Sequence, residues 1–222
     1  TTILSTGKIT TNGTGSYGIE ATSIGGGGGD AGMNFNAGVT LAGKDGTDNG
    51  FAANFAIGGA GGEAGNGAAA KVNNFSDIET KKANSHGILS QSIGGGGGNA
   101  GLDFAFVKAD GGKAGITIGR VGGIGGYASD VTLSSHGSVT THGDSSYGML
   151  AQSVGNGGGN SSATTIAAEV PSEENDKGEV KPHAIGLSIG LEGGIGGHAG
   201  NVDLDAVGQL LKVKGHDGET RQ

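Results

Sequence analysis

Ser85-His86-Gly87-Ile88-Leu89-Ser90-Gln91-Ser92-Ile93, running into Gly94 to Gly98, is the middle copy of a phrase that occurs three times. Ser16-Tyr17-Gly18-Ile19-Glu20-Ala21-Thr22-Ser23-Ile24 precedes Gly25 to Gly29, and Ser146-Tyr147-Gly148-Met149-Leu150-Ala151-Gln152-Ser153-Val154 precedes Gly155-Asn156-Gly157-Gly158-Gly159. The serines at 23, 92 and 153 stand at intervals of 69 and 61. Upstream, Ile9, Ile78 and Val139 each precede that serine by 14 residues, so this segment accepts no insertion and sets the structural register. A fixed phrase recurring at such a period marks stacked units that bury a shared core, and the repeat therefore governs the fold.

A second glycine motif alternates with the first: Ile57 to Ala64, Val121 to Ala128 and Glu192 to Ala199, aligned on their paired glycines. The residues between the two motifs vary in number and alternate in polarity. Leu102, Phe104 and Phe106 lead through Asp110-Gly111-Gly112 to Ile116 and Ile118, which reads as a β-hairpin. Equivalent hairpins turn at Gly43-Lys44-Asp45-Gly46 with Asn49-Gly50 in the first unit and at Pro171 to Gly178 in the third. Each unit is thus read as about two coils with a projecting hairpin of variable tip.

Of 222 residues 53 are glycine, about 24%, against a usual 7% or so. Interior glycine costs a helix roughly 1 kcal/mol, so a helical domain is excluded, and clustered glycine excludes collagen. Leu, Ile, Val and Phe make up only about 20%, at the boundary where disorder becomes the default expectation, so composition alone does not decide between folded and unfolded. Coils stacked about 4.8 Å apart need few large side chains, because neighbours complete the core. The fold expected is all-β: a right-handed parallel β-helix, or solenoid, with projecting hairpins and stacked glycine-rich segments. Its three units span about 1–70, 71–130 and 131–207, and residues 208–222 form a cap, a partial repeat or an appended tail. Ile19, Ile88 and Met149 form one inward ladder, Ala21, Ser90 and Ala151 the next, and Ser23, Ser92 and Ser153 sit at a corner. The glycine runs begin at matched places, so they are expected to lie extended, in polyproline-II-like or β conformation, and to satisfy each other's amides between units.

The phrase G-I-x-x-Q-S-I-G-G-G-G-G, with G-G-x-G-G-x-A after it and G-x-I-x-T-x-G before it, resembles the repeats in passenger regions of large autotransporters, the type V secreted surface proteins of Gram-negative bacteria. The resemblance covers nearly all of residues 3–207. It implies a non-catalytic structural or adhesive segment, extracellular at the bacterial surface or secreted, serving adhesion, cell-cell contact or biofilm and so virulence. The implied partners are a host or bacterial surface receptor or glycan and the C-terminal membrane barrel of the parent protein.

The formal charge of −8 and the scattered placement of 13 Lys and Arg argue against nucleic acid or an anionic membrane as partner. No apolar run reaches the roughly 18 residues of a membrane helix, and Thr1 to Ser5 lacks the features of a signal peptide, so the chain reads as a piece of something longer. Without cysteine there are no disulfides and no Cys-ligated zinc.

Two alternatives are weighed, a β-helix enzyme acting on polysaccharide and a calcium-dependent repeat module. Gly25 to Asp30 matches six positions of the calcium nonapeptide, but Asn99 and Asn160 replace the aspartate in the other units. Gly13 to Gly18 spells G-x-G-x-x-G but opens no helix, so it reads as turn. His86, His136, His142, His183, His198 and His216 read as solvated turn residues, His198 matching Tyr127 and Glu63. Asp77 and Glu79 face Lys8, Thr10, Ser138 and Thr140 in neighbouring units, which leaves no carboxylate ladder for glycoside chemistry. No catalytic residue, cofactor or metal ligand is assigned.

Overall fold

The computed structural model describes residues 1–40, 52–101, 103–109, 113–161, 164–169, 184–189, 191–207, 212–214 and 220–221. Among these it is all-β, without helices. The first unit supplies β1 (Thr2–Ser5), β2 (Lys8–Thr11), β3 (Ile19–Ile24), β4 (Asn34–Thr40) and β5 (Ala52–Ile57). The second supplies β6 (Ala70–Asn74), β7 (Asp77–Thr80), β8 (Ile88–Ile93), β9 (Asp103–Ala109) and β10 (Lys113–Ile118). The third supplies β11 (Val131–Ser135), β12 (Val139–Thr141), β13 (Met149–Val154), β14 (Thr164–Glu169) and β15 (Ala184–Ile189), followed by β16 (Val202–Ala206), β17 (Lys212–Lys214) and β18 (Thr220–Arg221).

Each strand pairs in parallel with its counterpart one unit away, giving sheets ordered β1-β6-β11-β16, β2-β7-β12-β17, β3-β8-β13, β4-β9-β14 and β5-β10-β15. Among the described strands only β18 is antiparallel, against β17. A unit is therefore one passage through five sheets, not the two coils expected from its length. The extra length lies in the arms, for which the alternation predicts hairpins. Among the described residues the two arms of a unit form no backbone ladder with each other: β4 and β5 belong to different sheets, and each extends through its own counterparts. The turn phrases 43–50, 110–112 and 171–178 lie outside the described residues.

The core lies among the first three sheets. Val72, Leu133, Ile78, Val139, Ile19, Ile88 and Ala21 are buried together, with Ile3, Ile9, Met149 and Ala151 packed against them. Ile19↔Ile88↔Met149 and Ala21↔Ser90↔Ala151 are in register, as the inward ladders require. Strand alternation accounts for this, since residues two apart share a face. Leu89, on the opposite face from Ile88, is buried as well, between Glu20 and Leu150 in register.

At the corner between β2 and β3, and at its two counterparts, the left-handed conformation falls on Gly15, Asn84 and Ser145 in successive units. Glycine is unstrained there and asparagine tolerates it. The G-x-G-x-x-G phrase is thus part of a turn. The Thr11, Thr80 and Thr141 hydroxyls donate to the Ser16, Ser85 and Ser146 carbonyls, closing all three corners alike (2.9, 2.7 and 3.3 Å).

The arms pack in an unusual sense. Between their two sheets lie small and polar groups, Asn54, Ala56, Ala105 and Thr117, all buried. The Asn36 amide donates to the Phe55 carbonyl at 2.9 Å and the Asn54 amide to the Asn36 carbonyl at 3.2 Å, tying the layers through the middle. The large side chains of the alternation face out instead: Phe35 and Phe104 in register on one sheet, Phe55 and Ile116 on the other, all exposed.

Candidate functional site

The glycine runs connect the arms to the core sheets, and their hydrogen bonds form two zigzags. The Gly62 amide donates to the Gly29 carbonyl, Gly98 to Gly62, Gly123 to Gly98, Gly159 to Gly123 and Gly194 to Gly159, all at 2.7–2.9 Å. Three residues along, Gly65 donates to Gly26, Gly95 to Gly65, Gly126 to Gly95, Asn156 to Gly126 and Gly197 to Asn156. Each run also bonds to its counterpart: Gly25, Gly28 and Ala31 donate to Ile93, Gly96 and Asn99, again every third residue. A three-residue period is that of polyproline II, whereas a strand repeats every two, so this decides between the two extended conformations expected. A Cβ on Gly94, Gly95, Gly97 or Gly98 would enter a carbonyl of a neighbouring run, while Gly96 meets nothing nearer than the Asn156 amide nitrogen at 4.0 Å.

The same zigzags correct the alignment of the second motif. Gly62, Gly123 and Gly194 are equivalent, so Ala60 to Gly67, not Ile57 to Ala64, corresponds to Val121 to Ala128. The paired-glycine pattern survives a slip of three because three residues complete one turn of the extended helix. His198 consequently matches Tyr127 and Asn66 rather than Glu63.

At outward positions, side-chain acceptors take the amide of the matching residue one unit on. Asp30 accepts from Asn99 (2.6 Å), Asn99 from Asn160 (2.9 Å), Asn66 from Tyr127 (2.8 Å), Asp77 from Ser138 (3.0 Å) and Asp130 from Asn201 (2.8 Å). The calcium-like aspartate is therefore occupied with structure. Among the described residues no group of three or more His, Asp and Glu could hold a metal ion. The corner serines work similarly: Ser23, Ser92 and Ser153 accept the amides of Ala68, Ser129 and Gly200, fastening the returning glycine run to β3, β8 and β13.

The histidines form ladders rather than free turns. His86 lies between Tyr17 and Tyr147, with ring centroids 4.8 and 4.9 Å apart, and its Nδ1 accepts the Tyr147 amide at 3.0 Å. Burial holds its pKa below the usual imidazole value. His136 stacks on Phe75 and His198 on Tyr127. His183 and His216 lie outside the described residues.

His142 differs, because its Nε2 meets Glu79 Oε1 at 3.2 Å. That pair stands in a groove of about 440 Å³ on the outer face of β2, β7 and β12, which also holds Lys8, Asp77, Ser138 and Thr140. Register places Lys8 beside Asp77 and Thr10 beside Glu79 beside Thr140, so the carboxylates face hydroxyls and an ammonium, as the repeat alignment requires. Ser138 donates both hydroxyl (2.6 Å) and amide (3.0 Å) to Asp77 Oδ1. The hydroxyl bond and then the amide bond of Ser138 hold the Asp77 carboxyl below its usual range, with desolvation opposing them and the Lys8 charge adding the least. Sequence reasoning saw these residues but not the groove, which exists only once β2, β7 and β12 lie side by side. No family model, curated protein or solved structure matches this chain.

Proposed function

We propose that the chain is a right-handed parallel β-helix, a solenoid of one five-strand coil per unit, serving as a structural and adhesive segment of a bacterial cell-surface autotransporter passenger. In this reading it carries no catalytic site, works outside the cell, at the surface or secreted, and belongs to a parent protein with a C-terminal membrane barrel. Its contacts are a host or bacterial surface receptor or glycan. The observation that carries the reading is the unit-to-unit bonding, in which strands, glycine runs and side-chain acceptors all join each coil to the next. Such stacking makes a stiff body from little apolar material, and it repeats outward side chains about every 4.8 Å along a face. The exposed Phe35, Phe104, Phe55 and Ile116 rows fit a contact surface, since contiguous exposed apolar side chains mark interaction sites.

The test is attachment. Beads coated with the purified chain are mixed with cultured epithelial cells, with bacteria, and with one another. Several-fold more attachment or clustering than albumin-coated beads is expected, and background attachment in all three settings contradicts the adhesive reading.

A further inference from the structure

We infer that the groove on the outer face of β2, β7 and β12 binds a neutral, hydroxyl-rich glycan segment through Lys8, Asp77, Glu79 and Thr140. The inference names a ligand class for the adhesive reading and rests on it for its biological purpose.

Asp77 is held through Oδ1 by Ser138 and Glu79 through Oε1 by His142, which leaves the second oxygen of each carboxylate without a hydrogen-bond donor among the described residues. The Lys8 ammonium and the Thr140 hydroxyl line the same groove and bond to no described residue. A carboxylate only accepts, an ammonium only donates, and a hydroxyl does both. Neighbouring strands set these groups about 4.8 Å apart across the sheet, and residues two apart along a strand lie about 6.7 Å from each other. A ligand that answers all four must present donors and acceptors together at close spacing, as vicinal hydroxyls do.

Charge narrows the class. Two carboxylates against one lysine oppose a sulfated or uronic polymer, and Lys8 beside Asp77 opposes a polycation. A peptide is disfavoured because Ile78 is the only large apolar residue of the lining and is itself buried, whereas peptide grooves offer apolar pockets to alternate side chains. The groove volume of about 440 Å³ accommodates a short oligosaccharide stretch.

The experiment is a titration of the ¹⁵N-labelled full chain with neutral hexaoses (malto-, cello-, manno-, xylo- and N-acetylchito-), a heparin hexasaccharide and a mixed peptide library. At least one neutral hexaose is expected to shift the Asp77, Glu79, Ser138 and Thr140 amides and to saturate near a Kd of about 1 mM or tighter. Glu79→Gln and, separately, the near-isosteric Thr140→Val are expected to weaken that binding, the former by about tenfold, with amide spectra otherwise unchanged. The proposal is overturned if no neutral hexaose moves these amides, if the shifts fall elsewhere, if heparin or peptide binds here instead, or if both variants bind like wild type. The titration uses no cells, so bead attachment failing while a hexaose binds would overturn the adhesive reading alone.

Discussion

The core sheets and the glycine layer repeat with the same period but stack by opposite means. Around Ile78, Ile88, Leu133 and Val139 the units meet through side chains, which exclude water and set the spacing by volume. Around Gly62, Gly98 and Gly123 they meet backbone to backbone, with every carbonyl of the zigzag taking the next amide. The first mode tolerates exchange among apolar residues, and the chain shows it, with Ile19, Ile88 and Met149 in one ladder. The second leaves far less room: a Cβ on Gly94, Gly95, Gly97 or Gly98 meets a carbonyl that cannot move without breaking its own bond, and among the matching residues of the third unit only Asn156 is not glycine. A narrow core and a layer without side chains thus share the burial that a globular domain assigns to its core alone.

The largest effect is expected in the core. Ile88 is fully buried, so Ile88→Asp places a carboxylate where nothing can pair with it, at a cost on the order of 5 kcal/mol. That is comparable to the whole stability of a marginal domain, and urea denaturation should find the variant unfolded or nearly so. A midpoint close to wild type would put Ile88 outside the core.

In the glycine layer the effect should depend on position within a triplet. Gly98→Ala drives a Cβ into the Gly29 carbonyl and is expected to cost roughly 3 kcal/mol. Gly96→Ala faces open space and should be neutral or stabilising by up to about 1 kcal/mol, since alanine restricts the unfolded chain. Equal melting temperatures for the two would remove the distinction between inward and outward glycines.

A smaller change of opposite sign is expected at Ser90, whose buried hydroxyl has no hydrogen-bond partner among the described residues and whose ladder neighbours are Ala21 and Ala151. Ser90→Ala should leave stability unchanged or raise it by about 1 kcal/mol. A clear loss would reveal a bond made by that hydroxyl.

The smallest effect is a pH dependence. Burial lowers the His86 pKa from the usual 6.5, so the unfolded chain binds the proton more readily. Its contribution is therefore present above about 6.5 and declines as the pH falls below it. Protonation at Nδ1 also removes the acceptor of the Tyr147 amide. Melting temperature measured from about pH 7.5 to 5 should fall more for wild type than for His86→Tyr, which restores the ring of the flanking units. Parallel curves would show that His86 does not report on folding.

The sequence made the period, the inward ladders and the extended glycine runs legible, because each follows from spacing: 14 residues fix Ile78 to Ser92, and matched starts align Gly94 with Gly25. Topology of the arms was not legible. Alternation at Phe104, Phe106, Ile116 and Ile118 is the same for a hairpin and for two strands that pair with other units, and it cannot tell an inward apolar face from an outward one. The slip of three in the second motif had the same origin, a pattern invariant under its own period. The acceptor ladder did leave a signal: Asp30, Asn99 and Asn160 share a side-chain oxygen at one position, which points to an amide as readily as to a cation.

Backbone satisfaction across units is tested most directly by hydrogen exchange, read residue by residue through Gly94 to Gly101. The amides of Gly94, Gly95, Gly97, Gly98, Ala100 and Gly101 each donate to a carbonyl of another unit, while that of Gly96 has no partner among the described residues. Two protected amides followed by one fast-exchanging amide at Gly96 is the expected pattern, with Asn99 protected through Asp30. Exchange of all eight at the rate of an unstructured peptide, or protection alternating every second residue as in an edge strand, would contradict the glycine layer described.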